Sequence, residues 1–294
     1  MIKKISELLW NIFVFIFEVI LLPLPFFQKA WWKAWYNWLS KDKTRERDFL
    51  FMNYGHHETD EIKEKERKKS YFKKKTSFFT TDNSAMARLY FYLCEEFPPG
   101  LVGKNIVEVG SGRGGGARFI SENYPIKGFI GLDLSSKNIE FCNGVHENTP
   151  KLSFTKGDAE NLPLPDNSVD IVLNVESSHC YPDFEKFIQQ VSRILRKNGH
   201  FIFADFRPPE KLYEVEEVFK RNGLKLISKA DITKNVLMAL DYDSDKRISF
   251  IKRFTPKFIF PIMKIFSGVR GTLLYNKFQH KKLYYFHYIL SKNS

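Results

Sequence analysis

The chain has 294 residues, 43% of them hydrophobic and 16% aromatic, and a formal net charge of +12 at pH 7. This composition excludes a disordered protein and is sufficient for one large α/β domain with an appendage. The positive charge predicts attraction to an anionic surface, either a membrane or a nucleic acid. The three cysteines, Cys94, Cys142 and Cys180, form no C-x-x-C pair, so neither a disulfide framework nor a zinc site is expected.

Near the N-terminus lies an apolar run, residues 8–27 (LLWNIFVFIFEVILLPLPFF). A bilayer is crossed by roughly 20 apolar residues, so this run is long enough to span one. Glu18 near its middle and the break at Pro23 and Pro25 argue against a simple span. No small-residue cleavage site follows, so removal as a signal peptide is not expected. A single span and a monotopic hairpin both stay open.

Residues 28–39 (QKAWWKAWYNWL) carry Trp31, Trp35 and Trp38 at helical spacing, with lysines between them. Trp settles at the headgroup level of a bilayer, so the pattern predicts an interfacial helix. The alternative is a helix that packs its Trp face on the rest of the protein. Segment 1–40 is therefore predicted to associate with a membrane. Basic residues are more frequent after the apolar run than before it, which places the following domain on the cytoplasmic side.

Residues 41–81 are predicted to form a charged linker whose basic residues concentrate between positions 63 and 75. Glutamates four residues before lysines are typical of an ordinary solvated helix. Beside a membrane segment, the same basic residues also suit anionic headgroups.

From residue 82 onward, strand and helix patterns alternate. A helix is expected at 82–97, and strands at 104–109, 128–133, 152–155, 169–174, 200–205, 224–229 and 283–290. Further helices are expected at 115–124, 136–147, 183–197 and 209–222. The alternation predicts a Rossmann-like, doubly wound α/β domain over 82–294, with a seven-stranded, mostly parallel sheet. Residues 232–282 interrupt the pattern and are predicted to form a substrate lid; plain packing helices are the alternative.

The first of these strands runs directly into a glycine-rich turn, residues 106–116 (IVEVGSGRGGG). Gly110, Gly112 and Gly114 permit a tight turn and a close approach of backbone N–H groups to a ligand. Asp133 ends the next strand, where a carboxylate can accept both ribose hydroxyls of an adenosine. Asp158 follows the third strand, where it can accept from an adenine amino group. The turn and Asp133 alone would suit NAD equally well.

Taken in order, these three pieces resemble the S-adenosylmethionine-dependent methyltransferases. Residues 169–182 (VDIVLNVESSHCYP), 199–207 (GHFIFADFR) and the triple glycine at 114–116 resemble the phthiotriol and phenolphthiotriol dimycocerosate methyltransferase branch. This resemblance extends roughly over residues 50–291. It implies S-adenosylmethionine as the cofactor and O-methylation of a hydroxyl on a lipid or a hydrophobic natural product. Residues 51–55 (FMNYG) resemble an element that folds over the cofactor in this branch.

The resemblance also implies which residues hold the cofactor. It assigns the methionine amino group to Glu108. The full set of cofactor contacts that it implies is Glu108, Gly110, Ser111, Gly112, Gly114, Asp133, Leu134, Asp158, Ala159 and Asn174.

Methyl transfer to a hydroxyl requires an aligned nucleophile, exclusion of water and removal of a proton. His179 lies just past the fourth sheet strand, where the acceptor should sit, and histidine titrates near neutrality. We predict His179 as the base and Tyr181 as an orienting group, with Asp205 and Glu176 as second choices. The alternative is a histidine that only bonds loop backbone. No metal site is expected, because carboxylates and histidines do not recur at ligand spacings.

Three functions stay open at this point. The favoured one is a membrane-associated O-methyltransferase that acts on a lipid or a hydrophobic natural product. The second is a C- or N-methyltransferase of a small molecule. The third is a non-catalytic protein, membrane-tethered or nucleic-acid-binding, with a degenerate cofactor site. No recognition helix, stacking platform or zinc knuckle indicates nucleic acid. The expected partners are therefore a hydrophobic substrate and a membrane surface; the sequence does not indicate an oligomeric state.

Overall fold

The structure is a computed structural model that describes residues 29, 30, 32–34, 37, 50–57, 84–257 and 259–293. The strands are β1 (Asn105–Val109), β2 (Gly128–Asp133), β3 (Leu152–Lys156), β4 (Val169–Val175), β5 (Leu195–Arg207), β6 (Leu224–Asp231) and β7 (Tyr284–Lys292). The helices are α1 (Ser84–Glu95), α2 (Gly115–Asn123), α3 (Ser136–Val145), α4 (Phe184–Ile194), α5 (Pro209–Arg221), α6 (Thr233–Phe254), α7 (Phe260–Phe266) and α8 (Leu273–Gln279). A 3₁₀ turn, Ser178–Cys180, follows β4.

These strands form one sheet in the order β3-β2-β1-β4-β5-β7-β6. Strand β7 is antiparallel to both of its neighbours, and the other pairings are parallel. The predicted Rossmann-like α/β fold with a seven-stranded, mostly parallel sheet is confirmed. The strand order reverses between β1 and β4, and a crevice for ligands forms at the carboxyl ends of the strands at such a switch point.

Apolar side chains on both faces of the sheet explain why the central strands form. Ile106 and Val107 are adjacent in β1, yet they belong to two different buried clusters. Because successive strand residues point to opposite faces, each cluster covers one face of the sheet. Strands β1 and β4 are buried along nearly their whole length, as expected of parallel strands with helices on both sides.

The boundary between α4 and β5 differs from the sequence prediction. The predicted helix 183–197 is too long, since α4 ends at Ile194, and the predicted strand 200–205 is too short, since β5 begins at Leu195. Leu195 is fully buried and pairs with Val169, so the chain enters the sheet directly from the helix. The pairing of β4 with β5 changes register between Val169 and Ile171. On β5, Asn198 has a positive φ of 59° in the same region. This pairing involves residues distant in sequence, which local periodicity does not reveal.

Helices α6, α7 and α8 occupy most of the interruption at 232–282. Arg247 of α6 donates from Nη2 to the backbone oxygen of Tyr54 at 3.0 Å and from Nη1 to the oxygen of Ser267 at 2.9 Å. Tyr54 Oη donates to the backbone oxygen of Phe266 at the end of α7, at 3.3 Å. The insertion therefore holds the segment 50–57 against the domain.

The apolar run 8–27, residues 58–83 and the tryptophans Trp31, Trp35 and Trp38 lie outside the described residues. Residues 29, 30, 32–34 and 37 are helical. Trp32 packs on the domain, with its ring 6.3 Å from that of Phe266. Ser135 donates from Oγ to Asn37 Oδ1 at 2.6 Å. Within the described part of the chain, no helix is long and apolar enough to cross a membrane.

Candidate active site

A cleft lies at the carboxyl ends of β1, β2 and β4, at the switch point of the sheet. It encloses about 990 Å³ of space, part of it open to solvent. Eight of the predicted site residues line it: Gly110, Ser111, Gly112, Asp133, Leu134, Asp158, Ala159 and Tyr181. Four do not: Glu108, Gly114, Asn174 and His179.

The glycine turn is fixed by its own backbone geometry. Gly110 has φ 76°, and a Cβ there would meet Ser177 Cβ at 2.5 Å and Tyr181 Oη at 2.8 Å. A side chain at this position would therefore be strained and would collide with the loop after β4. Gly114 has φ 77°, but a Cβ there would meet Phe154 at 2.6 Å. Gly114 therefore serves the packing of the turn on the core, since it does not line the cleft.

Asp133 holds the glycine turn as well as facing the cleft. Its Oδ2 accepts from Gly112 N at 2.9 Å, and its Oδ1 accepts from Ser135 N at 2.8 Å and Asn138 Nδ2 at 3.1 Å. A carboxylate has about four acceptor sites, so about one is left for a ligand. Burial raises the pKa of Asp133 to about 6, even though these three hydrogen bonds favour the carboxylate.

Glu108 lies beneath the turn, fully buried, and Tyr90 Oη donates to its Oε1 at 2.6 Å. Among the described residues, nothing donates to Glu108 Oε2. Burial raises the pKa of Glu108 to about 8, against the opposing effect of the Tyr90 hydrogen bond. Ser111 Oγ and Asn174 Oδ1 are likewise buried without a partner in the described part of the chain. A buried acceptor costs free energy unless a ligand satisfies it, so these atoms fit a bound molecule that carries an ammonium and other donors.

Asp158 is paired with a residue that the sequence prediction did not place in the site. Lys29 Nζ lies 2.6 Å from Asp158 Oδ2 and 3.0 Å from Glu160 Oε2. Although partial burial of Lys29 opposes its charge, hydrogen bonds to these two carboxylates raise its pKa. The carboxylate predicted to bind the adenine amino group therefore has an ammonium beside it in this structure.

His179 forms a dyad with Asp205, which is fully buried at the end of β5. The ring Nδ1 of His179 lies 2.9 Å from Asp205 Oδ1, and its backbone N donates to Asp205 Oδ2 at 3.0 Å. Ser178 Oγ donates to the same Oδ2 at 2.6 Å, and Arg207 Nη1 lies 3.2 Å from it. Both oxygens of Asp205 are thus occupied, which fixes the carboxylate and the imidazole together.

Each member of this dyad stabilises the charged form of the other. Burial disfavours the imidazolium, but Cys180 and the Asp205 carboxylate more than offset it and hold the pKa of His179 well above its usual value. Burial also disfavours the Asp205 carboxylate, but His179 and Arg207 hold the pKa of Asp205 far below its usual range. The His179 side chain keeps 22% of its surface exposed, so the ring is reachable from outside.

Tyr181 lies at the cleft wall in a small hydroxyl and amide network. Its Oη is 2.9 Å from Ser177 Oγ, and Asn174 Nδ2 donates to Oη at 3.2 Å. Asn174 Nδ2 also donates to the backbone oxygen of Val109 at 2.9 Å. Asn174 thus ties the end of β4 to the end of β1, and Tyr181 is held rigidly above Gly110.

Glu176 is a further, half-buried carboxyl group at the cleft. It has φ 46°, which is strained for a residue with a side chain, and strain of this kind clusters at functional sites. Its Oε1 accepts from Tyr54 N at 2.8 Å and from Tyr285 Oη at 2.9 Å. Burial raises the pKa of Glu176 to about 8. Glu176 therefore connects the cleft to the segment 50–57.

Segment 50–53 also lines the cleft, and Gly115 N donates to the backbone oxygen of Leu50 at 3.2 Å. Three further lining residues were not predicted: Lys29, Trp32 and Tyr90. No motif in the sequence indicated their place in the cleft. No described residue of the predicted lid 232–282 lines this cleft. Among the described residues, no group of three His, Cys, Asp or Glu side chains is arranged to hold a metal ion.

Comparison with known proteins agrees with this geometry. A family described as a methyltransferase domain matches residues 107–203. The phthiotriol/phenolphthiotriol dimycocerosates methyltransferase of Mycobacterium leprae is 32% identical over 265 residues, 90% of this chain and 93% of that protein. The fatty-acid O-methyltransferase of Mycolicibacterium smegmatis is 32% identical over 214 residues, 73% of each chain.

Among solved structures, the geranyl diphosphate C-methyltransferase from Streptomyces coelicolor A3(2) superimposes with a TM-score of 0.61. The likeness covers 90% of this chain and 98% of that one at 16% identity, which shows the shared fold. The chain therefore belongs to the S-adenosylmethionine-dependent methyltransferases, in the family of the phthiotriol/phenolphthiotriol dimycocerosates methyltransferases, and S-adenosylmethionine is its cofactor.

Proposed function

We propose that this enzyme methylates a hydroxyl oxygen on a lipid or a hydrophobic natural product. Its family membership sets aside the non-catalytic alternative. The names of the two curated relatives, a dimycocerosates methyltransferase and a fatty-acid O-methyltransferase, support a lipid-like acceptor. The choice of oxygen over carbon or nitrogen rests on the base that the site offers.

The residues at the switch point fit the cofactor. The buried Glu108 Oε2 would accept from the methionine ammonium, Asp133 from a ribose hydroxyl and Asp158 from the adenine amino group. When bound, S-adenosylmethionine supplies an electrophilic methyl group on a sulfonium. Gly110 and Gly112 would let the backbone of the turn approach the cofactor closely, and Tyr181 and Asn174 hold the wall of the cleft in place.

The observation that carries this proposal is the dyad of His179 and Asp205, with its 2.9 Å contact. In its neutral form, with the proton on Nδ1, the His179 imidazole donates to Asp205, and its Nε2 is left to accept a proton from the acceptor hydroxyl. The buried carboxylate then stabilises the imidazolium that forms. A base of this kind contributes about 10²–10⁴-fold to a rate. An acceptor carbon or amine that is already nucleophilic has much less need of it.

We also propose that the N-terminal segment brings the enzyme to a membrane, with the catalytic domain on the cytoplasmic side. The apolar run 8–27 and the basic residues that follow it support this location. It suits an acceptor that resides in a bilayer. Trp32, from the same tryptophan-rich segment, packs on Phe266 of the catalytic domain.

The test begins with lipid profiling of a strain that lacks the enzyme, to find species short of one methyl group. The purified full chain is then assayed on the candidate acceptor in single turnovers. His179→Ala should lower the methyl-transfer rate constant by about 10²–10⁴-fold and leave the affinity for S-adenosylhomocysteine nearly unchanged. His280→Ala, which alters an exposed histidine after α8, is the matched control. A His179→Ala enzyme within about threefold of the wild type would count against O-methylation by this base.

A further inference from the structure

Trp32 is the aromatic residue that the N-terminal segment contributes to the cleft. Its ring lies 6.4 Å from the ring of His179 in an edge-to-face arrangement and 6.3 Å from that of Phe266. On another side, Phe206 lies 4.5 Å from the His179 ring. The proposed base therefore has aromatic walls from β5 and from the N-terminal segment. An apolar acceptor whose hydroxyl reaches His179 must pass along these rings.

Lys29 lies on the same helical turn as Trp32. It holds this turn against the part of the cleft after β3, through its ion pairs with Asp158 and Glu160. Residues three apart on a helix share one face, so Lys29 and Trp32 both point to the cleft from a single turn. The side chains of Lys29 and Asp158 keep 31% and 34% of their surface exposed. Ion pairs that are partly exposed contribute modestly, so the effect expected from losing Lys29 is modest too.

We propose that Trp32 is an acceptor-recognition residue and that Lys29 positions it. Resting on the proposed function, this inference assigns one wall of the acceptor site to the N-terminal segment, outside the methyltransferase fold. The indole ring, 6.4 Å from the ring of the proposed base, offers a large apolar surface to an alkyl chain or a ring of the acceptor. Lys29 and Trp32 belong to the segment predicted to meet a membrane, so the residues proposed to recognise the acceptor lie in the part of the chain that would approach a lipid.

The test measures binding of a fluorescent fatty acid, cis-parinaric acid, to the full chain saturated with S-adenosylhomocysteine. Trp32→Ala should weaken this binding by about tenfold or more, because it removes a large, half-buried aromatic surface from the proposed acceptor site. Trp32→Phe keeps an aromatic wall and should stay within about threefold of the wild type. Affinity for S-adenosylhomocysteine should be unchanged in both. Tyr213→Ala, which removes an exposed aromatic side chain on α5, is the matched control.

Lys29→Met supplies an independent variant if Trp32→Ala does not fold. It should also weaken the binding of cis-parinaric acid, by about threefold or more. Lys137→Met, which removes an exposed ion pair on α3, is its matched control and should leave this binding unchanged. Unchanged binding in Trp32→Ala, or in Lys29→Met where the former is unfolded, would overturn the inference. An equal loss of affinity for S-adenosylhomocysteine in Trp32→Ala would also overturn it, since the turn would then only cover the cofactor. Failure of the proposed function would be seen separately: the wild-type enzyme would transfer no methyl group to any hydroxyl acceptor, although it binds both cis-parinaric acid and S-adenosylhomocysteine.

Discussion

Replacing Glu108 by Gln tests whether this buried carboxyl group receives the ammonium of the cofactor. The substitution keeps the shape of the side chain and an oxygen that can accept from Tyr90, but it removes the ability to become charged. Glu108 has a pKa of about 8 in the cofactor-free protein, so it is mostly neutral at pH 6 and must ionise when it pairs with an ammonium. Binding should therefore release a proton from Glu108.

The magnitude follows from this pKa. Ionising a group two pH units below its pKa costs about 2.7 kcal/mol at pH 6, and about 1.4 kcal/mol at pH 7. Because the ionised form of Glu108 pairs with the ligand, the wild-type affinity for S-adenosylhomocysteine should increase by about 1.4 kcal/mol, or about tenfold, between pH 6 and pH 7. Glu108→Gln lacks this gain. Any titration of the ligand itself or of Asp133 affects both proteins, so the ratio of the two affinities isolates Glu108.

Calorimetric titration with S-adenosylhomocysteine at pH 6 and pH 7 measures this ratio. Buffers with different ionisation enthalpies also count the protons released. We expect the ratio of wild-type to variant affinity to rise about tenfold, with roughly one proton fewer released by the variant. Glu214→Gln, on the exposed face of α5, should behave like the wild type. A ratio that is the same at both pH values, with equal proton release, would refute the assignment of Glu108.

Two further predictions concern the dyad and the membrane. The proposed base, His179, can accept a proton only when neutral. The rate constant for methyl transfer should therefore rise with pH to a plateau, with a midpoint above about 6.5, the ordinary value for histidine. Asp205→Asn removes the carboxylate that favours the imidazolium, so stopped-flow pH profiles should show a lower midpoint and a plateau reduced by about tenfold or more; an unmoved midpoint would contradict the dyad. The full chain should sediment with membranes and resist high salt and carbonate, whereas a chain lacking residues 1–27, which keeps Lys29 and Trp32, should be released. A full chain that is soluble without detergent would contradict membrane attachment.

Local patterns in the sequence predicted the elements that depend on local chemistry. Apolar runs of strand length, separated by helical periods, located the strands of the described sheet. The signal is clearest for β1 and β4, because burial on both faces leaves a continuous apolar signature. The glycines at 110, 112 and 114 predicted the turn after β1, because only glycine adopts these positive φ angles without strain. The motifs after β1 and β4 also pointed to the methyltransferase family, which the relatives confirm.

Tertiary structure decided which groups meet, because these partners lie far apart in the chain. Glu108 accepts from Tyr90 of α1, and His179 of the 3₁₀ turn lies against Asp205 of β5. Lys29 reaches Asp158 from the N-terminal helical turn. The local hydrophobic periodicity of the sequence does not reveal such pairs. Burial, which only packing determines, also sets the raised pKa of Glu108 and shapes the cleft around it. The sequence thus determined the fold and the family by itself, whereas the geometry and the charge states of the site required the folded chain.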